Sequence, residues 1–200
     1  MVLGLSWGGI PVAAEVAREL GAPLDVLAVR RLGIPGFEEV AMGAIGPSGA
    51  TVIDWGTVAR FGVTGSAVAI VLARERAELR RCEAAYRGSA PPISLADRTV
   101  ILVDDGLAAG ASIRAAVLEA RGRRAGRIVV AVPICAPSTC NELFDEVDHV
   151  ECALTPEPFH AVGLWYRDLT PTTDDEVFRL LSESRDPKTP SATGDAAAPH

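Results

Sequence analysis

Apolar positions along this chain fall into short unbroken runs, and the stretches between them carry helical spacing. Val2 to Leu5 is the first run, followed by Ser6-Trp-Gly-Gly9. After Pro11, the residues Val12, Val16 and Leu20 lie on one helical face. This predicts a helix over Val12 to Leu20, with Pro11 in its first turn and Gly21 at its end. Leu24 to Val29 is a second apolar run, long enough for a buried strand. The opening therefore predicts strand, Gly-rich turn, helix, strand: a βαβ unit.

Further along, Arg30 to Gly49 is rich in Gly and Pro and is expected to be a long loop, of the length that binding loops and lids have. Ala50 to Asp54 suits a short strand. Ser66 to Tyr86 combines strong helix formers with a charged face (Arg74, Glu75, Arg76, Glu78, Arg80, Arg81) and predicts one long helix with a solvated side. Gly88 to Pro92 reads as a linker. Then come a strand at Thr99 to Val103, a turn of small residues, and a helix opening at Ser112 and running to about Arg121. A strand at Arg127 to Ile134, a helix at Pro137 to Phe144, a strand at Val147 to Leu154 and a helix at Asp174 to Leu181 complete the pattern. Unbroken apolar strands alternating with helices predict an α/β fold, a mostly parallel sheet flanked by helices on both faces. One domain over residues 1–182 is expected, with a disordered tail over 183–200 on grounds of its Ser, Pro, Thr, Asp and Ala content.

Composition narrows the function classes. Hydrophobic residues make up 48% of the 200, enough for a substantial core. The net charge of -7, without a long basic run, argues against nucleic-acid binding, which needs a phosphate-neutralising surface. It leaves small phosphates open, because a few backbone amides hold those locally. No apolar segment is long enough to span a bilayer, and the N-terminal run lacks a basic leader, so a cytoplasmic location without membrane contact is the expectation. The 4 cysteines are scattered, without tight paired spacing, and read as buried reduced thiols.

In open parallel sheets, ligands bind beyond the carboxyl ends of the strands. The chemistry-bearing residues are predicted at that edge: Ser6 to Gly9, Arg30 and Arg31, and Asp104 to Ser112. The densest constellation is Asp104-Asp-Gly-Leu-Ala-Ala-Gly-Ala-Ser112. A buried strand delivers two carboxylates to the sheet edge. A turn of small residues, which lets a ligand approach the backbone, leads into a helix N-terminus. The amides of Ala108 to Ser112 together with the helix dipole suit a phosphate, and the Ser112 hydroxyl suits either that phosphate or a helix cap. Two acids beside a bound anion are repulsive unless they serve something else, and vicinal ribose hydroxyls are good partners for them. A plain strand-to-helix turn accounts for Gly106 and Ser112 but not for the paired acids. A P-loop is excluded, since Gly-Lys-Ser/Thr is missing.

This stretch resembles the phosphoribosyl diphosphate signature of type I phosphoribosyltransferases. The chain is most similar to a bacterial subfamily of predicted phosphoribosyltransferases with unassigned acceptors. Gly8-Gly-Ile-Pro-Val-Ala-Ala-Glu-Val-Ala17, Ala41-Met-Gly-Ala-Ile45 and Pro156-Glu-Pro-Phe-His-Ala-Val-Gly-Leu-Trp-Tyr166 carry the same resemblance, which covers roughly Leu3 to Leu181. It implies a parallel sheet with a flexible loop and a small hood over the acceptor. Asp104 and Asp105 would be the catalytic acids holding the ribose hydroxyls. Gly106, Leu107, Ala108, Ala109, Gly110, Ala111 and Ser112 would cradle the 5-phosphate. Ser6, Trp7, Gly8 and Gly9, with Arg30 and Arg31, would meet the diphosphate. Phe159, His160, Trp165 and Tyr166 are candidates for the acceptor hood, or for core. The resemblance further implies Mg2+ carried on the diphosphate, with Asp104 and Asp105 nearby, a small-molecule acceptor, and a homodimer.

Three departures from the family pattern stand out. Trp7 occupies the place of a basic residue, and losing a charge-assisted bond there costs about 1.5–3 kcal/mol of binding. The indole could stack on an acceptor or simply pack under the loop. Ala109 replaces the usual Thr of the signature. Relatives carry a helical segment before the first strand, whereas this chain starts almost on it, through truncation or through tolerance of its absence. Beside an active transferase, these departures keep a second expectation open: a catalytically degenerate module that binds phosphoribosyl diphosphate or a nucleotide and signals by shape. A hydrolase built on the paired acids is a distant third.

Overall fold

In a computed structural model, residues 1–87 and 93–185 are described. The expected linker at Gly88 to Pro92 and the tail from residue 186 onward lie outside them. The order is β1 (Val2–Leu5), α1 (Ser6–Leu20), β2 (Leu24–Leu27), β3 (Arg30–Ile34), β4 (Phe37–Ile45), β5 (Thr51–Ile53), α2 (Trp55–Arg60) and α3 (Gly65–Arg87). It continues with β6 (Thr99–Val103), α4 (Ala111–Gly122), β7 (Arg127–Ile134), α5 (Pro137–Leu143), β8 (His149–Leu154), a 3-10 turn at Val162–Trp165, and α6 (Asp174–Arg185).

The main sheet has five parallel strands in the order β2-β1-β6-β7-β8. The direction of the chain along the sheet reverses at β1, and β1 pairs with β6 through Val2–Ile101, Leu3–Leu102 and Gly4–Val103. At such a reversal the loops leaving two neighbouring strands diverge to opposite faces, which opens a crevice at their carboxyl ends. Here those loops are Ser6 to Gly9 and Asp104 to Gly110.

Strand periodicity sends alternate side chains to opposite faces. Leu3, Leu5, Val100, Leu102 and Val130 join Ile113, Ala116 and Val117 of α4 in one core layer. Val2, Val26 and Val103 join Ile10 and Ala13 of α1, Tyr86 of α3, and Val177 and Leu181 of α6 in the other. Each fully buried Leu, Ile or Val contributes roughly 1.5–3 kcal/mol of transfer free energy. The two layers thus clamp β1 and β6 from both sides and fix the crevice between them.

A correction concerns Arg30 to Gly49, expected as a loop. It forms the β3–β4 hairpin, extended by β5 into an antiparallel three-stranded sheet. The physical reason is local. Pro35 and Gly36 make the hairpin turn, with Gly36 at φ +83. Leu32, Ile34, Met42 and Ile45 then bury their side chains against Val58 of α2 and Val68 and Val71 of α3. Two smaller boundaries also move. The first helix starts at Ser6, so Pro11 lies inside it. The last one runs through residues 183–185, which were assigned to the tail.

Candidate functional site

Strand β6 ends at Val103, and the next two residues carry the acids to the crevice. The Asp104 carboxylate turns back, and its Oδ1 accepts the amide of Asp105 at 3.0 Å. Both acids lean over the first turn of α1. A Cβ built on Gly9 would lie 2.7 Å from the Val103 carbonyl and 3.0 Å from the Asp104 Cα, and one on Gly8 would overlap Asp105 Oδ2. Backbone approach therefore demands glycine at position 9, while a side chain at position 8 would have to displace the Asp105 carboxylate. The Ser6–Gly9 turn and the Asp104–Asp105 pair, 98 residues apart from Ser6 to Asp104 in the sequence, form one site.

Two helix N-termini border this pair. Helix α1 begins after Leu5 with no side-chain cap, and Ser6 enters it at φ +51, a left-handed conformation that costs a non-glycine residue about 1–2 kcal/mol. The Ser6 hydroxyl donates to the Val29 carbonyl at 2.8 Å, which ties the turn to the residue just before β3. Helix α4 begins after Gly110, at φ +73, also without a side-chain cap. Uncapped first-turn amides carry a partial positive charge and suit anions. Ser112, expected at the helix boundary as a possible cap, lies one residue inside α4 and caps nothing.

The electrostatics follow from this crowding. Burial, then the neighbouring Asp105, pushes the Asp104 carboxyl well above the usual aspartate range, while the Asp105 amide and Arg31 pull the other way. Burial also raises Asp105, against the pull of backbone amides and Arg31. Two carboxylates in a half-buried notch are short of positive charge. Arg31 is the arginine of the predicted pair whose field reaches them. Arg30 turns elsewhere: its Nε and terminal nitrogen both lie 2.9 Å from Glu75 Oε2, and its guanidinium sits 5.9 Å from the Trp7 ring centroid.

A profile of the phosphoribosyl transferase domain matches residues 1–152. The chain belongs to that family. Two curated Mycobacterium tuberculosis relatives, from different strains and each named "Putative phosphoribosyl transferase", are 41% identical to it over 198 residues. The match takes in 99% of this chain, which spans only 45% of the length of those relatives. A crystal structure of TT1426 from Thermus thermophilus superposes with a TM-score of 0.73 at 40% identity, over 91% of this chain and 86% of that one.

Within this phosphoribosyl transferase domain the loop from Gly106 to Gly110 is braced from behind. Leu107 donates its amide to Ile134 and accepts from Ala136, at 2.9 and 2.8 Å. Thr139 of α5 donates its hydroxyl to the Ala108 carbonyl at 2.5 Å, and Arg114 of α4 donates to the Ala109 carbonyl at 3.0 Å. Arg114 is itself held by Glu142 and Glu146, at 2.6 and 2.7 Å. With these carbonyls engaged by protein donors, the loop has a defined shape without any help from a side chain at position 109. Thr139 and Arg114 were not singled out from the sequence. Nothing in their local spacing points to a loop about 30 or 5 residues away, and only the placement of α5 beside the loop and the Arg114 ion pairs reveal them.

Trp7 is a half-buried part of the core. Its indole N–H donates to Asp174 Oδ1 at 2.6 Å, the Tyr86 hydroxyl donates to the same oxygen at 2.8 Å, and the two rings meet edge to face at 5.6 Å. Of the two readings of Trp7, stacking on an acceptor and packing within the protein, the packing one describes it. Burial and then Asp174 push the Tyr86 phenol upward, while the two donors hold Asp174 below the ordinary aspartate range. Glu75, read as part of a solvated face, is buried against Arg30 and Arg74.

The four hood candidates separate. Tyr166 reaches the acids, its hydroxyl donating to the Asp105 carbonyl at 2.5 Å. Val162, from the same segment, covers Gly106, where a Cβ would lie 2.6 Å from it. Phe159 is half-buried, and His160 and Trp165 are exposed. No side-chain bond joins these three to the acids.

Proposed function

We propose that this domain transfers a 5-phosphoribosyl group from phosphoribosyl diphosphate to a small-molecule acceptor and releases diphosphate. The observation that carries the reading is the pairing of two uncapped helix N-termini, α1 and α4, on either side of Asp104 and Asp105. The donor has two anionic ends, with a diol-bearing ribose between them. In this reading the amides of Ala108 to Ser112 take the 5-phosphate, the acids take the ribose hydroxyls, and the amides of Ser6 to Gly9, with Arg31, take the diphosphate.

The reaction breaks the bond from ribose C1 to the diphosphate oxygen and forms one from C1 to the acceptor nucleophile, whose proton leaves to solvent. The charge developing on the ribose ring is positive, and that on the leaving group is negative. Carboxylates near the first and oriented amides near the second stabilise both without covalent help. Tyr166 fixes the backbone beneath Asp105, which keeps the acids in register with the ribose.

The family implies Mg2+, and the donor set fits it. Asp104 and Asp105 offer carboxylate oxygens, and burial makes them demand positive charge, which a hard dication with oxygen ligands supplies. When bound, the ion would neutralise diphosphate oxygens as the leaving group departs. No helix among the described residues is long and apolar enough to cross a membrane.

Diphosphate release from phosphoribosyl diphosphate, measured against bases, amines and sugar alcohols, tests the proposal. Turnover with any acceptor, or slow hydrolysis without one, supports it, and none with any acceptor contradicts catalysis. A second reading rests on Trp7, which leaves the α1 turn without a basic side chain: a binding module that holds the donor and performs no transfer. It predicts calorimetric binding of the donor with no diphosphate release.

A further inference from the structure

The cysteines are scattered in the sequence, yet the fold gathers three of them. Cys135 follows β7, Cys140 sits in α5 and Cys152 lies on β8. Their sulfurs all lie within 4.8 Å of one another, with Cys140 and Cys152 at 3.4 Å. All are free thiols; Cys135 and Cys140 are buried, and Cys152 is half-buried. A depression of about 330 Å³ opens on Cys140 and Cys152, floored by Val150 and rimmed by Asn141 and Thr155.

We propose that Cys135, Cys140 and Cys152 form a three-sulfur site for a thiophilic cation, Zn2+ foremost, with its fourth position open to the depression. The geometry carries this. Zinc–sulfur bonds of about 2.3 Å place sulfurs about 3.8–4.0 Å apart in tetrahedral or trigonal sites. The 3.4 Å between Cys140 and Cys152 is a little short of that distance and every pair lies within 4.8 Å, so an ion needs only small side-chain movements. The Cys135 to Cys140 interval has four intervening residues, within the range of structural zinc ligands. A disulfide is the weaker alternative. Closing a Cys140–Cys152 disulfide would engage two of the three sulfurs and leave Cys135 aside, whereas one cation takes all three.

Binding is an exchange without redox change: three S–H bonds break, three sulfur–metal bonds form, and the protons pass to solvent. Affinity therefore rises with pH. The site lies directly behind the phosphate loop. Thr139, beside Cys140, holds the Ala108 carbonyl, and Cys135 bridges to Leu107. A bound ion would pin α5 and the end of β7 against that loop.

The test uses the full chain, reduced and freed of metal, titrated with Cd2+ as a spectroscopic probe and then with Zn2+. The expected result is one ion per chain, a sulfur-to-cadmium charge-transfer band of three-thiolate intensity, displacement by Zn2+, and release of close to three protons per ion. Cys82→Ser, in α3 and remote from the cluster, retains the full signal. Cys152→Ser, at the half-buried and most tolerant position, lowers affinity at least tenfold and the band by about one third. A wild-type band showing fewer than three thiolates, or Cys152→Ser binding as tightly as wild type, overturns the proposal. The thiolate count is read on the wild-type protein, so it stands whether or not a variant folds.

Discussion

The two turns that border the acids make an instructive pair. Both follow neighbouring parallel strands, both open into uncapped helices, and both face the same two carboxylates. They reach that state differently. The Gly106–Gly110 loop is held from outside, by Thr139, Arg114, Ile134 and Ala136, so apart from the buried Leu107 its side chains stay small and the backbone carries the shape. The Ser6–Gly9 turn is held from within, by a strained Ser6, a hydroxyl bond to Val29 and glycines pressed on Asp104 and Asp105. The first turn keeps its shape with alanine at position 109 because its bracing comes from elsewhere. The second carries no basic side chain of its own; Arg31 acts on the two acids beside it, while Trp7 serves the packing of α6.

The largest expected effect comes from closing one turn at a time. Gly9→Ala drives a methyl into the Val103 carbonyl and costs about 1–3 kcal/mol. Diphosphate binding is lost, while ribose 5-phosphate still binds. Gly110→Ala, at φ +73 and 2.8 Å from Thr139 Cγ2, costs about 1–2 kcal/mol and does the reverse. Denaturant titration with calorimetry of each half-ligand checks both. If either substitution abolishes both ligands equally, the two ends are not separate.

Next in size is the acid pair. The folded-state pKa of Asp104 lies above its unfolded value, so wild-type stability declines as pH rises from the ordinary aspartate range toward that raised value. Asp104→Asn removes the penalty. It should gain about 0.5–2 kcal/mol over wild type at neutral pH and little or nothing in acid, while donor turnover falls. Urea unfolding at both ends of that range measures it. A gain independent of pH would mean that the effect is not ionisation.

The fold was legible where physics is local. Thr99–Val103 and Arg127–Ile134 are buried parallel strands, unbroken in apolar residues, and both match the predicted limits. Arg30 to Gly49 was misread because its glycines signal both loops and tight strand approach. At Gly43 a Cβ would overlap the Val52 carbonyl, which only the three-dimensional pairing reveals. In the site, the acids and small residues were legible because their chemistry is unusual in a turn. The bracing by Thr139, the hold of Glu142 and Glu146 on Arg114, the latch between Trp7 and Asp174, and the approach of Cys152 to the Cys135–Cys140 pair join elements distant in sequence, and left no local pattern.

Smaller effects separate the bracing of the two turns. Thr139→Val removes one hydrogen bond to the loop, worth about 1 kcal/mol, and should weaken 5-phosphate binding about fivefold with diphosphate unaffected. Trp7→Phe keeps the ring and deletes its donor to Asp174. It should lower Tm slightly and leave donor affinity unchanged. The Asp174 carboxyl is held below its ordinary range by those donors, so this latch is fully present above that range and fades as pH falls beneath it through the lowered value. A thermal scan against pH on wild type and Trp7→Phe shows the two curves converging in acid.

The central claim is that one crevice binds both ends of phosphoribosyl diphosphate through two helix N-termini. Isothermal calorimetry with Mg2+ tests it most directly, using the intact donor, ribose 5-phosphate and diphosphate separately. The account predicts that each half binds measurably, that the two bind together, and that the intact donor binds more tightly than either. Absence of binding by all three, or mutual exclusion of the two halves, would contradict it.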